Sequence, residues 1–521
     1  MRSDKIVIVG GGSAGWMTAA TLKKCFPFKE ITVIESPTHP TVGVGESTLG
    51  QINEWFTLLD INEDDWMKFC DASLKLSIRF TDWAGKNTHS FHYPFGNAYL
   101  QRTEFNINDW YVKKALHPNT PVTDFVDCFF PAMQLVYQNK ITTNSQNSFP
   151  EWRYDSDVAY HFDATKFGIW LRDNYCIPKG VNLINDSINE NIVVDNNGVE
   201  YLTLNSGKKI FADLFIDCTG WKKLLISAVG TSFIKYDHYL PNNKAWATKI
   251  PYTNKDKELQ PFTDCTALSN GWVWNIPLWS RIGSGYVFSD KFISSDQALL
   301  DFKEHLAIKY QPSLIEQLEF KIIDMDIGIH EKIFNKNVCA IGLSAGFIEP
   351  LESNGLFTVH EFLNQLIKTL SKQEINELDI DGFNRGCRGG YQSFAEFVGL
   401  HYSLSPRNDS AYWVDVTSRK IIQHEIIPGS YLNYGYENFL FERNIKNFYS
   451  VNSGGTCFIA TGLGSFPITK FDLKRIGFRE NFDFSRMNYI FENWSKNIEA
   501  WKNAALNCDT LHNFLKKKYN E

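Results

Sequence analysis

Long hydrophobic runs are missing from this chain of 521 residues, since no apolar stretch approaches the roughly 18 residues that a membrane-spanning helix needs. The chain also has no long block of like charge, no internal repeat and no low-complexity segment. Its 52 basic and 59 acidic residues nearly balance, which excludes the electrostatic footprint of most nucleic-acid-binding and lipid-surface proteins. These absences predict a soluble globular protein of two or three modules, with neither nucleic acid nor membrane as partner.

Cysteine is scattered, and no Cys-x-x-Cys pair occurs among the ten cysteines. This pattern predicts neither a disulfide framework nor a metal site, and it favours a reducing cytoplasmic location. The apolar start at Ile6–Val9 is interrupted by glycines and is followed by no small-residue cleavage site. We therefore expect a first strand here rather than a signal peptide.

A glycine-rich motif follows that first strand. Lys5–Val9 precede the sequence Gly10-Gly11-Gly12-Ser13-Ala14-Gly15, and a helix-forming stretch begins at Trp16. In a dinucleotide-binding turn, Gly10 would permit the tight turn, Gly12 would admit a pyrophosphate, and Gly15 would let helix and strand pack closely. Ser13 and Ala14 would open the helix whose N-terminus attracts the phosphates. Glu35, at the end of a second predicted strand, would accept the ribose hydroxyls.

Two later segments favour FAD over NAD as the dinucleotide. Residues 212–220 form an apolar strand that ends in Thr219-Gly220, and residues 338–342 form a late buried strand that ends at Gly342. Both are typical of α/β flavoproteins of the two-dinucleotide type, in which these segments return to the cofactor. No second G-x-G-x-x-G follows a strand. The chain should therefore lack a nicotinamide site of its own.

Residues 72–81 alternate between apolar and polar side chains, which predicts a half-buried strand. On spacing alone, Lys75 would face solvent beside Arg79. A second conspicuous segment, Gly271-Trp272-Val273-Trp274-Asn275-Ile276-Pro277, places two tryptophans before a proline. Taken alone, this segment is consistent with a packed strand at the edge of a sheet.

Together, however, these segments resemble the signature motifs of flavin-dependent halogenases of the tryptophan-halogenase type. The resemblance extends along nearly the whole chain and includes Gly43–Thr48, Ala72–Lys75 with Trp83, Tyr160–Ala164, Gly271–Pro277, Phe347–Ser353 and Ser405–Asp409. It implies a flavoprotein monooxygenase-like FAD module, interlocked with a largely helical substrate module. We place the FAD module at residues 1–355, with an aromatic, loop-rich insert at about 84–168, and the substrate module at 356–521.

The resemblance also implies a chemistry. In this family FADH2 and O2 oxidise a halide to hypohalous acid, which travels to a separately bound aromatic substrate. Lys75 matches the lysine that meets this acid, by hydrogen bonding or as a haloamine, and Glu352 matches the glutamate that orients the electrophile or takes the ring proton. Glu349 is the alternative carboxylate. Val44, Gly45 and Glu46 match a segment that contacts the flavin.

The residues after Glu352 are candidates for the halide site. Leu356, Val359, Leu363, Leu366 and Leu370 recur at helical spacing, so Ser353 or Asn354 should cap a helix that begins near Gly355. Such an N-terminus can attract an anion, although most caps hold no ligand. Many family members have threonine at the position of Asn354, which leaves the preferred halide open, with a lean to bromide or iodide.

The substrate side departs from the family pattern. Tryptophan-specific members carry large aromatic residues shortly before a Gly-Leu-Gly turn, whereas this chain has Gly455, Thr456 and Cys457 ahead of Phe458. On the opposite wall Phe95 is retained, and Tyr93 stands where histidine is common. Ordinary core packing would also explain Tyr93 and Phe95. We therefore expect an electron-rich indole, phenol or larger arene as substrate, rather than free tryptophan.

Other functions compete with halogenation. A flavin-dependent aromatic hydroxylase would share the glycine motif, yet it has no need of Lys75 or Glu352. A flavin-binding protein without turnover would not need them either, and an NAD-dependent dehydrogenase leaves the family motifs unexplained. As partners we expect a separate NAD(P)H:flavin reductase and a small aromatic substrate, while assembly into a homo-oligomer is left open.

Overall fold

The computed structural model describes residues 2–38, 45–99, 107–144, 148–419, 454–464 and 484–521. Its strands in chain order are β1 (Lys5–Val9), β2 (Glu30–Glu35), β3 (Glu46–Ser47), β4 (Ser73–Lys75), β5 (Ser77–Thr81), β6 (Ser90–Pro94), β7 (Lys140–Ile141), β8 (Ala159–Phe162), β9 (Asn182–Asn185), β10 (Val193–Asp195), β11 (Gly198–Thr203), β12 (Lys209–Ile210), β13 (Leu214–Asp217), β14 (Phe233–Lys235), β15 (Lys244–Pro251), β16 (Phe262–Leu268), β17 (Gly271–Pro277), β18 (Arg281–Phe288), β19 (Lys321–Asp324), β20 (Gly328–His330), β21 (Phe334–Asn335), β22 (Val338–Ala340), β23 (Gly346–Phe347) and β24 (Asp509–Thr510).

The α-helices are α1 (Ser13–Cys25), α2 (Ile52–Leu59), α3 (Glu63–Trp66), α4 (Ile107–Leu116), α5 (Asp124–Phe129), α6 (Met133–Tyr137), α7 (Tyr154–Asp157), α8 (Ala164–Trp170), α9 (Leu224–Ala228), α10 (Lys255–Glu258), α11 (Ser295–Ala307), α12 (Pro312–Ile315), α13 (Gly355–Leu370), α14 (Glu377–Ser403), α15 (Ala411–Thr417), α16 (Gly454–Gly462), α17 (Phe484–Leu506) and α18 (Leu511–Lys518). A π-helical segment, Leu171–Cys176, continues α8, and 3₁₀ turns occur at Gly220–Lys222, Gly342–Ser344 and Pro350–Glu352. Among the described helices, none is both long and apolar enough to cross a bilayer.

A mostly parallel sheet forms the centre of the cofactor-binding half. Its strand order is β21-β22-β13-β1-β2-β9, with β1 parallel to both β2 and β13, and β22 parallel to β13. Ile6, Val7 and Ile8 are completely buried, as expected for a parallel strand covered on both faces. The mixed α/β architecture predicted for the chain is confirmed, and the two later segments form strands of this sheet, with β13 next to β1 and β22 next to β13.

A second, mainly antiparallel sheet carries the tryptophan-rich segment. Its order is β19-β15-β18-β17-β16-β5-β6, so β17 lies inside the sheet rather than at an edge. Trp272 is fully buried within it. The edge-strand interpretation of this segment is therefore wrong, because β16 and β18 satisfy the backbone of β17 on both sides.

The alternating segment 72–81 folds as two strands instead of one half-buried strand. β4 pairs with β8 in a small sheet, whereas β5 joins the second sheet, and Leu76 between them donates its N–H to the Pro261 carbonyl at 2.7 Å. The polar residues Ser73, Lys75 and Ser77 are fully buried. The expectation that this face meets solvent is wrong, because distant parts of the chain cover it.

Helices dominate the described residues after 355. α13 and α14 pack against each other, and α13 also packs against α1, which joins this region to the first sheet. The insert expected at 84–168 contains the short helices α4 to α7 as well as loops. The exact division into a flavin module and a substrate module stays a prediction.

Candidate active site

The glycine-rich loop packs so tightly that side chains are excluded from it. Gly10 has φ of +116°, and a Cβ on this residue would lie 2.1 Å from the Cys218 carbonyl oxygen. A Cβ on Gly15 would lie 1.9 Å from the Gly10 carbonyl oxygen. Gly12 is the N-cap of α1 and places no side chain over the start of the helix. The loop therefore offers open backbone at a helix N-terminus, which suits a pyrophosphate.

Glu35 lies against this loop at the end of β2. A Cβ on Gly11 would lie 2.4 Å from Glu35 Cγ. The Glu35 carboxylate accepts a hydrogen bond from Arg172 Nη1 at 3.1 Å, which holds it beside the loop. Ser13 Oγ donates to the Ala164 carbonyl at 2.9 Å and so anchors the start of α1 to α8. Glu35 thus lies against the loop, and its acceptance of ribose hydroxyls stays a prediction.

Gly342 brings the late strand β22 back to the same place. It has φ of +72°, and a Cβ there would lie 2.8 Å from the Ala14 Cβ in the first turn of α1. The ends of β1, β13 and β22 therefore meet around the N-terminus of α1. These residues fit the pyrophosphate and ribose of FAD. A side chain at position 342 would collide with Ala14 and strain the backbone, so glycine is required there.

The segment that should contact the flavin is described in part. Val44 lies outside the described residues. Gly45 has φ of +134° and packs against Leu278. The Glu46 carboxyl lies against Gly355, since a Cβ on this glycine would be 2.6 Å from Glu46 Oε1. The enclosed position of Glu46 raises the pKa of its carboxyl to about 7, and the nearby charge of Lys75 opposes this rise.

Lys75 ends β4 and is completely buried. Its Nζ donates to the Thr48 carbonyl at 2.9 Å and to Ser353 Oγ at 2.7 Å, and it lies 4.9 Å from the centre of the Phe95 ring. Burial lowers the pKa of the amine to about 7, although the nearby Glu352 carboxylate favours the charged form. The amine can therefore act near neutral pH as a hydrogen-bond donor or as a nucleophile.

Glu352 closes the Pro350–Glu352 turn and has 1% of its surface exposed. Its Oε1 lies 2.7 Å from His401 Nε2. His401 Nδ1 faces the carbonyl oxygens of Phe397 and Val398 at 3.2 and 3.1 Å, so this nitrogen carries a hydrogen. One further proton must then lie between His401 Nε2 and Glu352, because two lone pairs cannot face each other at this distance. His401 thus orients Glu352 and shares a proton with it.

Glu349, the alternative carboxylate, has a different environment. Its Oε2 accepts hydrogen bonds from Asn242 Nδ2 at 2.7 Å, Trp272 Nε1 at 3.1 Å and Tyr402 OH at 2.9 Å. Burial raises the pKa of Glu349 despite these donors. Unlike Glu352, it does not line the cavity described below. The arrangement favours Glu349 as a structural group that fixes the tryptophan-rich strand β17.

The candidate halide residues surround the start of α13. Ser353 is in the left-handed region with φ of 57°, and Asn354 is the N-cap residue. The Asn354 side chain makes no capping hydrogen bond: its Nδ2 lies 3.4 Å from the Ile348 carbonyl, and its buried Oδ1 has no partner. Capping by the Ser353 hydroxyl is also wrong, because that hydroxyl bonds Lys75 and Ser47. Halide binding by Ser353, Asn354 and Gly355 stays a prediction.

A cavity of about 680 Å³ lies next to Glu352. Its apolar wall includes Tyr93 and Phe95 from the β6 region and Phe458 from α16, and the Tyr93 and Phe458 rings stack at 5.3 Å between centroids. Thr456 is buried but does not line the cavity. Three of the four predicted substrate residues, Tyr93, Phe95 and Phe458, therefore line the cavity together with Glu352, one of the two predicted catalytic residues.

Sequence reasoning missed three residues of this site, all on α14: Phe394 and Phe397 line the cavity, and His401 holds Glu352. Their spacings of three, four and seven place them on one helical face, which is the only signal the sequence carries. The polar side of the cavity includes Gln51, Asn53, Glu54, Asp155 and Asp157, and no lysine or arginine lines it among the described residues.

Comparisons with known proteins match this chain over most of its length. A family described as tryptophan halogenase matches residues 5–467. A tryptophan 6-halogenase, SttH of Streptomyces toxytricini, is 34% identical over 443 residues, which cover 80% of this chain and 82% of that protein.

Solved structures match equally well. The VirX1 apo structure superposes with a TM-score of 0.90 at 35% identity and covers 99% of both chains. Tar14, a tryptophan C-6 flavin-dependent halogenase from taromycin biosynthesis, superposes with a TM-score of 0.84 at 26% identity, over 99% of this chain and all of that one.

Proposed function

Because the chain belongs to the tryptophan halogenase family and is a flavin-dependent halogenase, we propose that Lys75 and Glu352 guide hypohalous acid to an electron-rich arene in the cavity. The observation that carries this proposal is that Glu352 lines the aromatic cavity and that the Lys75 amine lies behind one of the rings of its wall. Glu352 lines it directly, and the Lys75 amine lies 4.9 Å from the ring of Phe95, another lining residue.

Each residue has a role that its environment supports. Reduced FAD with O2 supplies the oxidising equivalents that convert halide to hypohalous acid. Lys75 receives this acid at a buried amine, which keeps the electrophile out of bulk water. Glu352 accepts the ring proton when the halogenated arene regains aromaticity, and His401 holds the carboxylate in position. A hydroxylase has no use for this buried lysine, so the site favours halogenation over hydroxylation.

The chain should depend on a separate NAD(P)H:flavin reductase, because only one dinucleotide fingerprint occurs in its sequence. We expect the purified protein with FAD and NADH alone to consume NADH at the background rate of free flavin. Addition of a generic flavin reductase should start halogenation, followed by mass spectrometry. Rapid NADH consumption by the isolated chain would show a nicotinamide site that the sequence does not reveal.

The polar side of the cavity predicts the substrate class. Glu54, Asp155 and Asp157 would face the carboxylate of free tryptophan, and no described lining residue is cationic. One like-charge contact of ~1.4 kcal/mol corresponds to about a tenfold preference. Indole and tryptamine, which lack the carboxylate, should therefore be halogenated about tenfold faster than tryptophan.

Competition assays with equal concentrations of the three compounds test this prediction, run separately in chloride, bromide and iodide. Bromide or iodide should give more product than chloride, because heavier halides are easier to oxidise. A preference for tryptophan at one ring position would show that other parts of the chain bind its head group.

A reducing cytoplasm is the location that best suits the thiols. None of the ten cysteines, all within the described residues, forms a disulfide, and eight of them are buried. Cys265 is the cysteine whose charge would influence Lys75. Burial raises the pKa of the Cys265 thiol, so the thiol stays protonated. Such a thiol is a weak nucleophile and does not compete with Lys75 for the electrophile.

A further inference from the structure

The Tyr160–Ala164 motif contains a histidine that is completely buried near Lys75 and has no assigned part in the proposed reaction. His161 lies on β8, and both of its ring nitrogens face hydroxyl groups. Nδ1 is 3.3 Å from Ser73 Oγ, and Nε2 is 2.9 Å from Thr263 Oγ1. A buried histidine with two hydroxyl partners must commit to one pattern of donors and acceptors.

A continuous hydrogen-bond chain joins His161 to Lys75. Its links are Lys75 Nζ to Ser353 Oγ at 2.7 Å, Ser353 Oγ to Ser47 Oγ at 3.0 Å, Ser47 Oγ to Thr263 Oγ1 at 2.8 Å, and Thr263 Oγ1 to His161 Nε2 at 2.9 Å. Every member is buried, with at most 6% of its surface exposed. These hydrogen bonds connect residues from five separate parts of the sequence, four of them within motifs shared with the family.

The hydrogen bonds at the His161 end determine the direction of donation along this series. The Ser73 hydroxyl donates to the Pro277 carbonyl oxygen, which can only accept. Ser73 must then accept from His161, so Nδ1 carries the hydrogen of the ring. Burial and the charge of Lys75 hold the pKa of His161 well below its usual range, so the ring is neutral and Nε2 is an acceptor.

Each hydroxyl has a single hydrogen to donate, so the donor role of one hydroxyl determines the role of the next. Because Thr263 gives its hydrogen to His161 Nε2, its oxygen accepts from Ser47, and Ser47 in turn accepts from Ser353. The hydroxyl hydrogen of Ser353 is therefore committed away from Lys75, and Ser353 can only accept from the amine. The Thr48 carbonyl, the other partner of Lys75, is also an obligate acceptor.

The Thr48 carbonyl and the Ser353 hydroxyl each accept one hydrogen bond from Lys75, which leaves one position on its nitrogen without a partner among these two groups. In the neutral amine both N–H groups are used by Thr48 and Ser353, so the remaining position is the lone pair. A chain of opposite direction would let Ser353 donate to this lone pair and block it. We propose that His161, Thr263, Ser47 and Ser353 form a positioning device that keeps the Lys75 lone pair open to the halogen electrophile. The inference rests on the proposed role of Lys75.

The step that this device supports is balanced without another reactant. The amine nitrogen attacks the halogen of hypohalous acid, so that the N–halogen bond forms as the O–halogen bond breaks. One amine proton joins the departing hydroxide as water, and the halogen keeps its oxidation state. The charged groups that influence this amine are Glu46 and Glu352, and Cys265 and His161 are the other titratable neighbours.

Thr263→Val tests the device, because valine keeps the branched shape and removes the central hydroxyl. Thr263→Ser restores the hydroxyl, and Thr266→Val makes the same change on the opposite face of β16, where the threonine bonds Asp264. Each protein is supplied with FAD, NADH and a flavin reductase in bromide. Halogenated indole and free hypobromous acid, captured by monochlorodimedone, are both measured per NADH consumed.

We expect Thr263→Val to lower the ratio of halogenated indole to trapped acid about tenfold, the effect of one lost hydrogen bond. Thr263→Ser and Thr266→Val should stay near the wild-type ratio. In the wild type, this ratio should rise with pH around 7, where Lys75 loses its proton.

A wild-type ratio in Thr263→Val would overturn the inference, as would a loss in Thr263→Ser equal to that in Thr263→Val. A ratio that falls above pH 7 would show that the ammonium acts as a donor and would also overturn it. If the wild type gave trapped acid but no halogenated arene, the proposed role of Lys75 itself would fail.

Discussion

Lys75→Met is expected to eliminate halogenated product while FAD binding and the oxidation of reduced FAD by O2 continue. The substitution removes the buried amine and keeps a side chain of similar length, and the glycine loop, Glu35 and Gly342 are untouched. Product formation should fall by at least roughly 10³-fold, the effect of removing a group that both positions and polarises the reacting species. Hypohalous acid should instead appear in solution.

Three measurements check this prediction: product by mass spectrometry, flavin binding by fluorescence, and free hypohalous acid with monochlorodimedone. Lys166→Met, a change at an exposed lysine of α8, serves as the control and should leave all three unchanged. Normal product yield from Lys75→Met would remove the lysine from the mechanism and would indicate that diffusing hypohalous acid does the work.

Glu352→Gln should slow halogenation by roughly 10²- to 10⁴-fold, the range typical of a lost general base. The amide cannot take the ring proton, and the proton shared with His401 loses its carboxylate partner. Proton loss from the arene should then limit the rate. A substrate deuterated at the attacked carbon should show an isotope effect in this variant that is absent in the wild type.

Glu349→Gln is the matched control, since it changes a buried carboxylate three residues away. The glutamine oxygen can still accept from Asn242, Trp272 and Tyr402, and the new amide replaces an oxygen that has no partner. We expect a rate within a few-fold of wild type and a lower melting temperature. The reverse outcome, a slow Glu349→Gln beside a normal Glu352→Gln, would exchange the roles of the two carboxylates.

Local sequence signals predicted the cofactor half well. The strand β1, the glycine turn and α1 were predicted in order, because glycine spacing and apolar runs act over a few residues. Both late segments were expected to return to the cofactor, as in flavoproteins of the two-dinucleotide type. In the structure β13 pairs with β1 and β22 pairs with β13, and this parallel register brings Gly342 against Ala14. These features depend on backbone conformation, which neighbouring residues largely determine.

The burial of Lys75 could not be predicted in this way. Alternation in residues 72–81 indicated one polar face open to solvent, but Ser353, 278 residues further along the chain, covers it. Periodicity reports that two faces differ, and it does not report what packs against each one. The same limit applies to the edge-strand interpretation of β17, whose neighbours β16 and β18 close it on both sides.

The sequence by itself determined the dinucleotide loop, the family and the two candidate catalytic residues, since each is carried by short motifs. Only the tertiary structure decided that His401 shares a proton with Glu352, that Phe394 and Phe397 line the cavity, and that His161 directs hydrogen bonds toward Lys75. Those relations arise between side chains far apart in the chain. A hydrogen bond or a stacked ring depends on distances of a few ångströms, which are established only when the separate elements pack together.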